Sequence, residues 1–132
     1  MVAMRSGIVG RELFVERANA ARLRATEAQQ AAEAARRRVA ELHQHERAGS
    51  SGVAEAEERR LLAEERLARV EAQLAEARQR SIDAHERAAR LDDAMGKTAD
   101  ARRHYDAAND ERQLIEDEAL KGATRRKGPT AA

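Results

Sequence analysis

The chain lacks cysteine, has a single proline at Pro129, and carries only two aromatic side chains, Phe14 and Tyr105. Without cysteine there is no disulfide scaffold, no thiolate nucleophile and no Cys-ligated zinc. Without proline before position 129, no ring interrupts a helix. Two aromatics cannot build a stacking platform for single-stranded nucleic acid. No apolar run approaches the roughly 18 residues that a membrane-spanning helix needs. Large apolar residues are scarce too: Leu, Ile, Val and Phe total 20 of 132. That excludes a large globular core. Net charge of one sign is also missing, with 25 basic and 24 acidic residues.

What fills the space is alanine. There are 31 Ala, 22 Arg, 17 Glu, 10 Leu and 3 Lys, so these five types make 83 of the 132 residues. Such enrichment marks a coiled coil or a long helix. A buried Ala methyl contributes only about 0.8 kcal/mol, against roughly 1.5–3 for Leu or Phe. Stability must therefore come from long helices, many small contacts or a partner chain. Near-zero net charge and strong helix formers favour order over disorder.

The apolar pattern predicts an all-α, elongated antiparallel helical hairpin, coiled-coil-like, with a shorter third helix. Phe14, Ala18, Ala21, Ala25, Ala28, Ala32, Ala35, Val39 and Leu42 follow unbroken 4-3 spacing, which places them on one stripe. Residues 1–10 read as a flexible N-terminus, and the first helix should run from about Arg11 to Arg47. The segment AGSSG (48–52) supplies the turn. A second helix follows Ser51, a candidate N-cap. Its stripe is Val53, Ala56, Arg60, Ala63, Leu67, Val70, Leu74, Ala77, Ser81, Ala84, Ala88, Leu91 and Met95, with Arg60 and Ser81 as polar interruptions.

A turn centred near residue 50 pairs position i with roughly 100 minus i. Leu67, Val70 and Leu74 then oppose Ala32, Ala28 and Ala25, large against small. AMGKTAD (94–100) reads as a break, with Gly96 ending one helix and Thr98 capping the next. Residues 99–120 form the third helix, with Ala101, Tyr105, Ala108 and Ile115 on one face, either folded back or continuing the second helix with a kink. The helical domain thus spans 11–120. Residues 121–132 carry a charge of +4 without an apolar anchor and read as a disordered basic tail. Favourably directed i,i+4 pairs such as Glu65–Arg69 and Glu86–Arg90 describe a solvated surface.

AHERAARLDDA (84–94), followed by ADARRHYDAA (99–108), resembles a recurrent pattern in small Ala/Arg/Glu-rich helical proteins of actinobacteria. The resemblance implies a helical cytoplasmic protein and carries no functional residues across. The N-terminal residues agree with that location. Ile8 and Val9 are too little for a secretory h-region, and Glu12 and Glu16 are out of place in a transit peptide.

Catalytic constellations are poor. GKT (96–98) has the end of a phosphate-binding loop, but Leu91 stands where the motif needs glycine, and a helix precedes it instead of a strand. The histidines are His43, His45, His85 and His104. None has Glu three residues before it, as the carboxylate-bridged bundles require. His104 has only Asp100 at i−4. Ser6, Ser50 and Ser51 lie in flexible segments, and Ser81 in a seam. A narrow helical rod offers no pocket in which carboxylates are tuned. Enzymatic activity, a cofactor, a metal site and a small-molecule substrate are therefore not expected. Ala-dominated stripes with mixed-charge flanks do not suit a membrane surface either.

The reading that remains is a non-enzymatic interaction or scaffold protein, a homo-oligomer or a binder of another helical protein. Its seam residues are Phe14, Ala25, Ala32, Val39, Leu42, Leu67, Val70, Leu74 and Leu91. Leu13, Leu23, Leu61 and Leu62 lie off the stripes and need cover. The alternative is a nucleic-acid-associated factor whose phosphate contacts are Lys121, Arg125, Arg126 and Lys127, with weak, salt-sensitive affinity. A third reading is a metal-binding or pH-sensing bundle that uses the histidines.

Overall fold

The computed structural model describes residues 2–47, 49 and 52–127, and the side chains of 10–122 among them. It is all-α, with α1 at Val2–Arg47, α2 at Val53–Ala94 and α3 at Thr98–Lys127. No described residue is in a strand. No helix of the described residues is long and apolar enough to cross a membrane.

Two helix ends differ from expectation, and both differences concern glycine. α1 begins at Val2 and runs through Gly7 and Gly10, so residues 2–10 are helical where the sequence predicts a flexible segment. α3 runs through Gly122 to Lys127, so residues 121–127 are helical where the sequence predicts a disordered tail. Glycine in a helix costs about 0.8–1 kcal/mol relative to alanine. That weakens a strongly helical stretch without ending it. Residues 128–132, with Pro129, lie outside the described residues.

Glycine does end helices where φ turns positive, at Gly49 (70°), Gly52 (93°) and Gly96 (74°). In the first connection the Gly52 carbonyl accepts from the Ala56 amide at 2.9 Å, which puts Gly52 at the cap of α2. Ser51, the expected cap, lies outside the described residues. In the second connection the Lys97 amide donates to the Asp92 carbonyl at 2.7 Å, and the Gly96 amide to the Asp93 carbonyl at 3.0 Å. This pair of bonds is a Schellman motif with Gly96 at its left-handed position. The Lys97 carbonyl then accepts from the Ala101 amide at 3.0 Å. Lys97 therefore holds the backbone cap position expected of Thr98, which is the first residue of α3.

The chain divides into two compact units, Leu23–Ala77 and the pairing of Met1–Arg22 with Arg78–Ala132. In the first unit α1 and α2 run antiparallel. Ala25, Ala32, Leu42 and Leu74 are buried. Ala28, Ala35, Val39, Ala63, Leu67, Val70 and Ala77 are half-buried. Polar contacts flank the seam: Arg36–Glu71 at 4.0 Å, His43–Glu64 at 3.3 Å and Arg60–Glu46 at 3.1 Å. Arg60, the polar interruption of the stripe, also reaches Glu64 at 3.2 Å. The residue numbers in the three cross-helix pairs total 107, 107 and 106, against the expected 100. In antiparallel helices each side chain leans toward its own N-terminus, so long side chains meet at a higher total than the backbone turn implies. The groove lining sets Ala31, Ala34, Ala35 and Arg38 beside Ala63, Arg66 and Val70, close to the expected levels, so the two stripes face each other.

The second unit has three helices. α3 folds back antiparallel to α2, since Arg78 reaches Glu118 and His104 reaches Asp92. Here α2 buries two stripes. One is the expected seam through Ser81, Ala84, Ala88 and Leu91. The other is Arg78, Ile82, His85, Ala89 and Asp92, all buried. α3 answers with Ala101, His104, Ala108 and Glu111. The face expected for α3 is corrected accordingly: Tyr105 and Ile115 are 37% and 36% exposed, while Glu111 is 9% exposed.

Candidate functional site: a polar ladder in the three-helix unit

An Ala-rich core gives little apolar energy, yet this unit buries charge. Asp92 is fully buried. Its Oδ1 accepts from Arg11 Nε at 2.7 Å. The same guanidinium donates through Nη2 to Asp100 Oδ2 at 2.9 Å. One α1 side chain thus ties the end of α2 to the start of α3. The hydrogen bond it donates to Asp92, ahead of every other influence, holds the Arg11 guanidinium above its ordinary pKa. The second oxygen, Asp92 Oδ2, is buried without a hydrogen-bond partner. It faces His104 Nε2 at 3.6 Å, too long for a hydrogen bond.

His104 packs on His85, with ring centroids 5.6 Å apart at 50°. His85 is itself buried. Its Nδ1 lies 2.8 Å from the Ser81 carbonyl oxygen, which fixes that nitrogen as the N–H donor. Ser81 Oγ is 3.4 Å from the same nitrogen. This serine–histidine contact does not make a nucleophile. The nitrogen that would take the hydroxyl proton already donates to a carbonyl, and Ser81 is fully buried. Two turns away, Arg78 is 2% exposed. It holds Glu118 in a fork, Nη1 to Oε2 at 2.6 Å and Nη2 to Oε1 at 3.1 Å, with Glu111 at 3.9 Å from Nε. Glu86, expected to pair along its own helix with Arg90, pairs with Arg112 of α3 instead.

The ladder has a sequence signal that the apolar reading passes over. Arg78, His85 and Asp92 recur every seventh residue on α2, as do His104, Glu111 and Glu118 on α3. Polar residues at heptad spacing mark a seam as surely as leucines do, provided their partners sit opposite. Such layers fix register and orientation, at some cost in stability.

The structure sorts the expected seam residues between the units. Phe14 and Leu91 lie half-buried in the three-helix unit. Ala25, Ala32, Val39, Leu42, Leu67, Val70 and Leu74 lie in the two-helix unit, and none is exposed. The leucines off the stripes stay uncovered: Leu13 is 43%, Leu23 60%, Leu61 48% and Leu62 58% exposed. A groove of about 380 Å³ runs along the two-helix unit, lined by Ala31, Ala34, Ala35, Arg38, Ala63, Arg66 and Val70. Lys121 is exposed on α3, whereas the side chains of Arg125, Arg126 and Lys127 lie outside those described. Among the described residues no group of three or more His, Asp or Glu side chains is arranged to hold a metal ion. The GKT segment is the Schellman turn between α2 and α3, with no strand before it.

Comparison of the chain with protein-family models, with curated proteins and with solved structures finds no match.

Proposed function

We propose that the chain is a non-enzymatic interaction protein that binds helices, its own in a second copy or those of another helical protein, and that its Ala-rich heptad stripes act as coiled-coil seams. The carrying observation is the uncovered outer surface of the two-helix unit. Arg66 lines the groove, Leu62 precedes it by one turn on α2, and Leu23, Leu61 and Leu62 are all 48% exposed or more. Four alanines in the groove lining let a helix backbone approach closely. The only charged residues lining it are Arg38 and Arg66, so an occupant helix with acidic flanks fits best.

The seam itself is the wrong place to test this. Ala25 and Leu74 are buried between α1 and α2 of one chain, so a charge there disrupts folding before it reports on association. The outer leucines are the right targets. In sedimentation equilibrium the parent should self-associate, and Leu23→Glu with Leu62→Glu should shift it to monomer with unchanged helicity. Association that survives both substitutions sinks the outer-face reading. A second reading, nucleic-acid association through Lys121, Arg125, Arg126 and Lys127, is supported by their shared charge and by the exposure of Lys121. It requires a log–log salt slope of about −3 to −4 for four phosphate contacts, abolished by deleting 121–132.

A further inference from the structure

Charge divides the two sides of the α1–α2 seam. On one side the helices answer each other: Arg36 reaches Glu71 at 4.0 Å and His43 reaches Glu64 at 3.3 Å. On the other side they do not. The residue just before each of the stripe positions Ala25, Val39, Arg60 and Leu67 is an arginine, namely Arg24, Arg38, Arg59 and Arg66, and all four are exposed. Arg38 and Arg66 line the groove from opposite helices. Arg38 and Arg59 pair within their own helices, with Glu41 and Glu55. Among the described residues no ion pair carries any of the four across to the other helix. Like charges on facing walls favour an acidic occupant.

The groove of a second copy is not that occupant, because it would set arginine against arginine. The outer face of α3 is the acidic surface of this chain that fits. Residues 106–120 hold six acids and one base. The base, Arg112, is paired with Glu86, while Glu111 and Glu118 are engaged by Arg78. That leaves Asp106, Asp110, Glu116 and Asp117, all exposed, around Leu114 and Leu120, which are 40% and 69% exposed. Asp110 and Asp117 stand one heptad apart, as do Arg59 and Arg66, so each pair keeps to one side of its helix. A nucleic-acid backbone suits the groove less well. Its floor of Ala31, Ala34, Ala35, Ala63 and Val70 has no side-chain donor for phosphate, but lets a helix approach closely.

We infer that the groove of one copy takes the acidic outer face of α3, residues 106–120, from a second copy. The inference rests on the helix-binding reading and names its occupant. The contact joins two different surfaces, so the association is heterologous.

Sedimentation equilibrium on the full chain, with helicity followed by circular dichroism, tests it by charge exchange. Arg38→Glu with Arg66→Glu should weaken self-association about tenfold, as should Asp110→Arg with Asp117→Arg. The four substitutions together should restore most of the parent affinity. A fourfold variant as weak as either double variant, or a double variant without effect, overturns the proposal. Should either reversal lose helicity, Asp110→Asn with Asp117→Asn decides, and an unchanged dissociation constant overturns it. If Leu23→Glu with Leu62→Glu gives monomer while the charge variants associate as the parent does, helix binding stands and this occupant falls. A parent that stays monomeric also removes this occupant, and leaves binding of another helical protein in place. Binding of a DNA duplex that Arg38→Glu with Arg66→Glu abolishes, with self-association unchanged, would assign the groove to nucleic acid instead.

Discussion

The same two helices build two kinds of core. In the two-helix unit α1 and α2 bury one stripe each, mostly alanine on α1 and alanine interleaved with Leu67, Val70 and Leu74 on α2. In the three-helix unit α2 buries two stripes, and the second is polar at every other step: Arg78, His85 and Asp92, with Ile82 and Ala89 between. The contrast separates what alanine does from what charge does. Alanine allows close approach and specifies little, because one methyl looks like the next. A buried charge is costly wherever its partner is out of reach, so it penalises every register but one. The unit that has to choose where a third helix docks is the one that carries the charges.

Removing a rung is the strongest way to break this comparison. Arg78→Ala leaves Glu111 and Glu118 without their fork and should destabilise the three-helix unit by about 3 kcal/mol. The double replacement Arg78→Leu with Glu118→Leu should recover most of that loss. It should also broaden the distance between spin labels placed on α2 and α3, attached through cysteines introduced into a chain that has none. A double variant that keeps one sharp distance would show that register is set elsewhere.

Leu74→Ala is the matching substitution in the two-helix unit. Leu74 is 2% exposed among alanines that cannot move in to fill the space, so a loss of about 2–3 kcal/mol is expected. Hydrogen exchange should place it in residues 23–77, with α3 unaffected. Loss of protection in α3 of similar size would mean that the two units unfold as one.

The stripes on α1 and α2 were legible because period and burial coincide there. All nine α1 stripe positions are buried or half-buried, and on α2 only the terminal Val53 and Met95 are exposed. The break at Gly96 was legible for a local reason, since a glycine at a helix end needs no tertiary information. The ladder was not. Helical ligand spacing singles out neither His85 nor His104, apart from the lone Asp100 four residues before His104. Their actual partners are each other and Asp92, brought together only once α3 folds back. Tyr105 and Ile115 misled in the opposite direction. Their apolar character predicts the packed face, yet in a chain this poor in large side chains the packed face of α3 belongs to small and charged residues. The helix bounds expected at 11 and 120 fall short of the observed ones, because the propensity cost of Gly10 and Gly122 is less than the helix around them gains.

That last distinction gives the smallest and most discriminating prediction, since two glycine substitutions should act with opposite sign. Gly10 lies inside α1, without positive φ, and a Cβ there meets nothing within 4 Å. Gly10→Ala should stabilise the three-helix unit by about 0.5–1 kcal/mol, through lower entropy of the unfolded chain and better helix propensity. Gly96 also has open space around its Cβ position, so sterics do not separate the two sites. Its φ of 74° does. Gly96→Ala should cost about 1 kcal/mol, and Gly96→Asn less, because asparagine tolerates the left-handed region. Thermal melting of the three variants checks the order. If Gly96→Ala were neutral, the Schellman turn would not be what brings α3 back onto α2, and orientation would rest on the ion pairs between the helices.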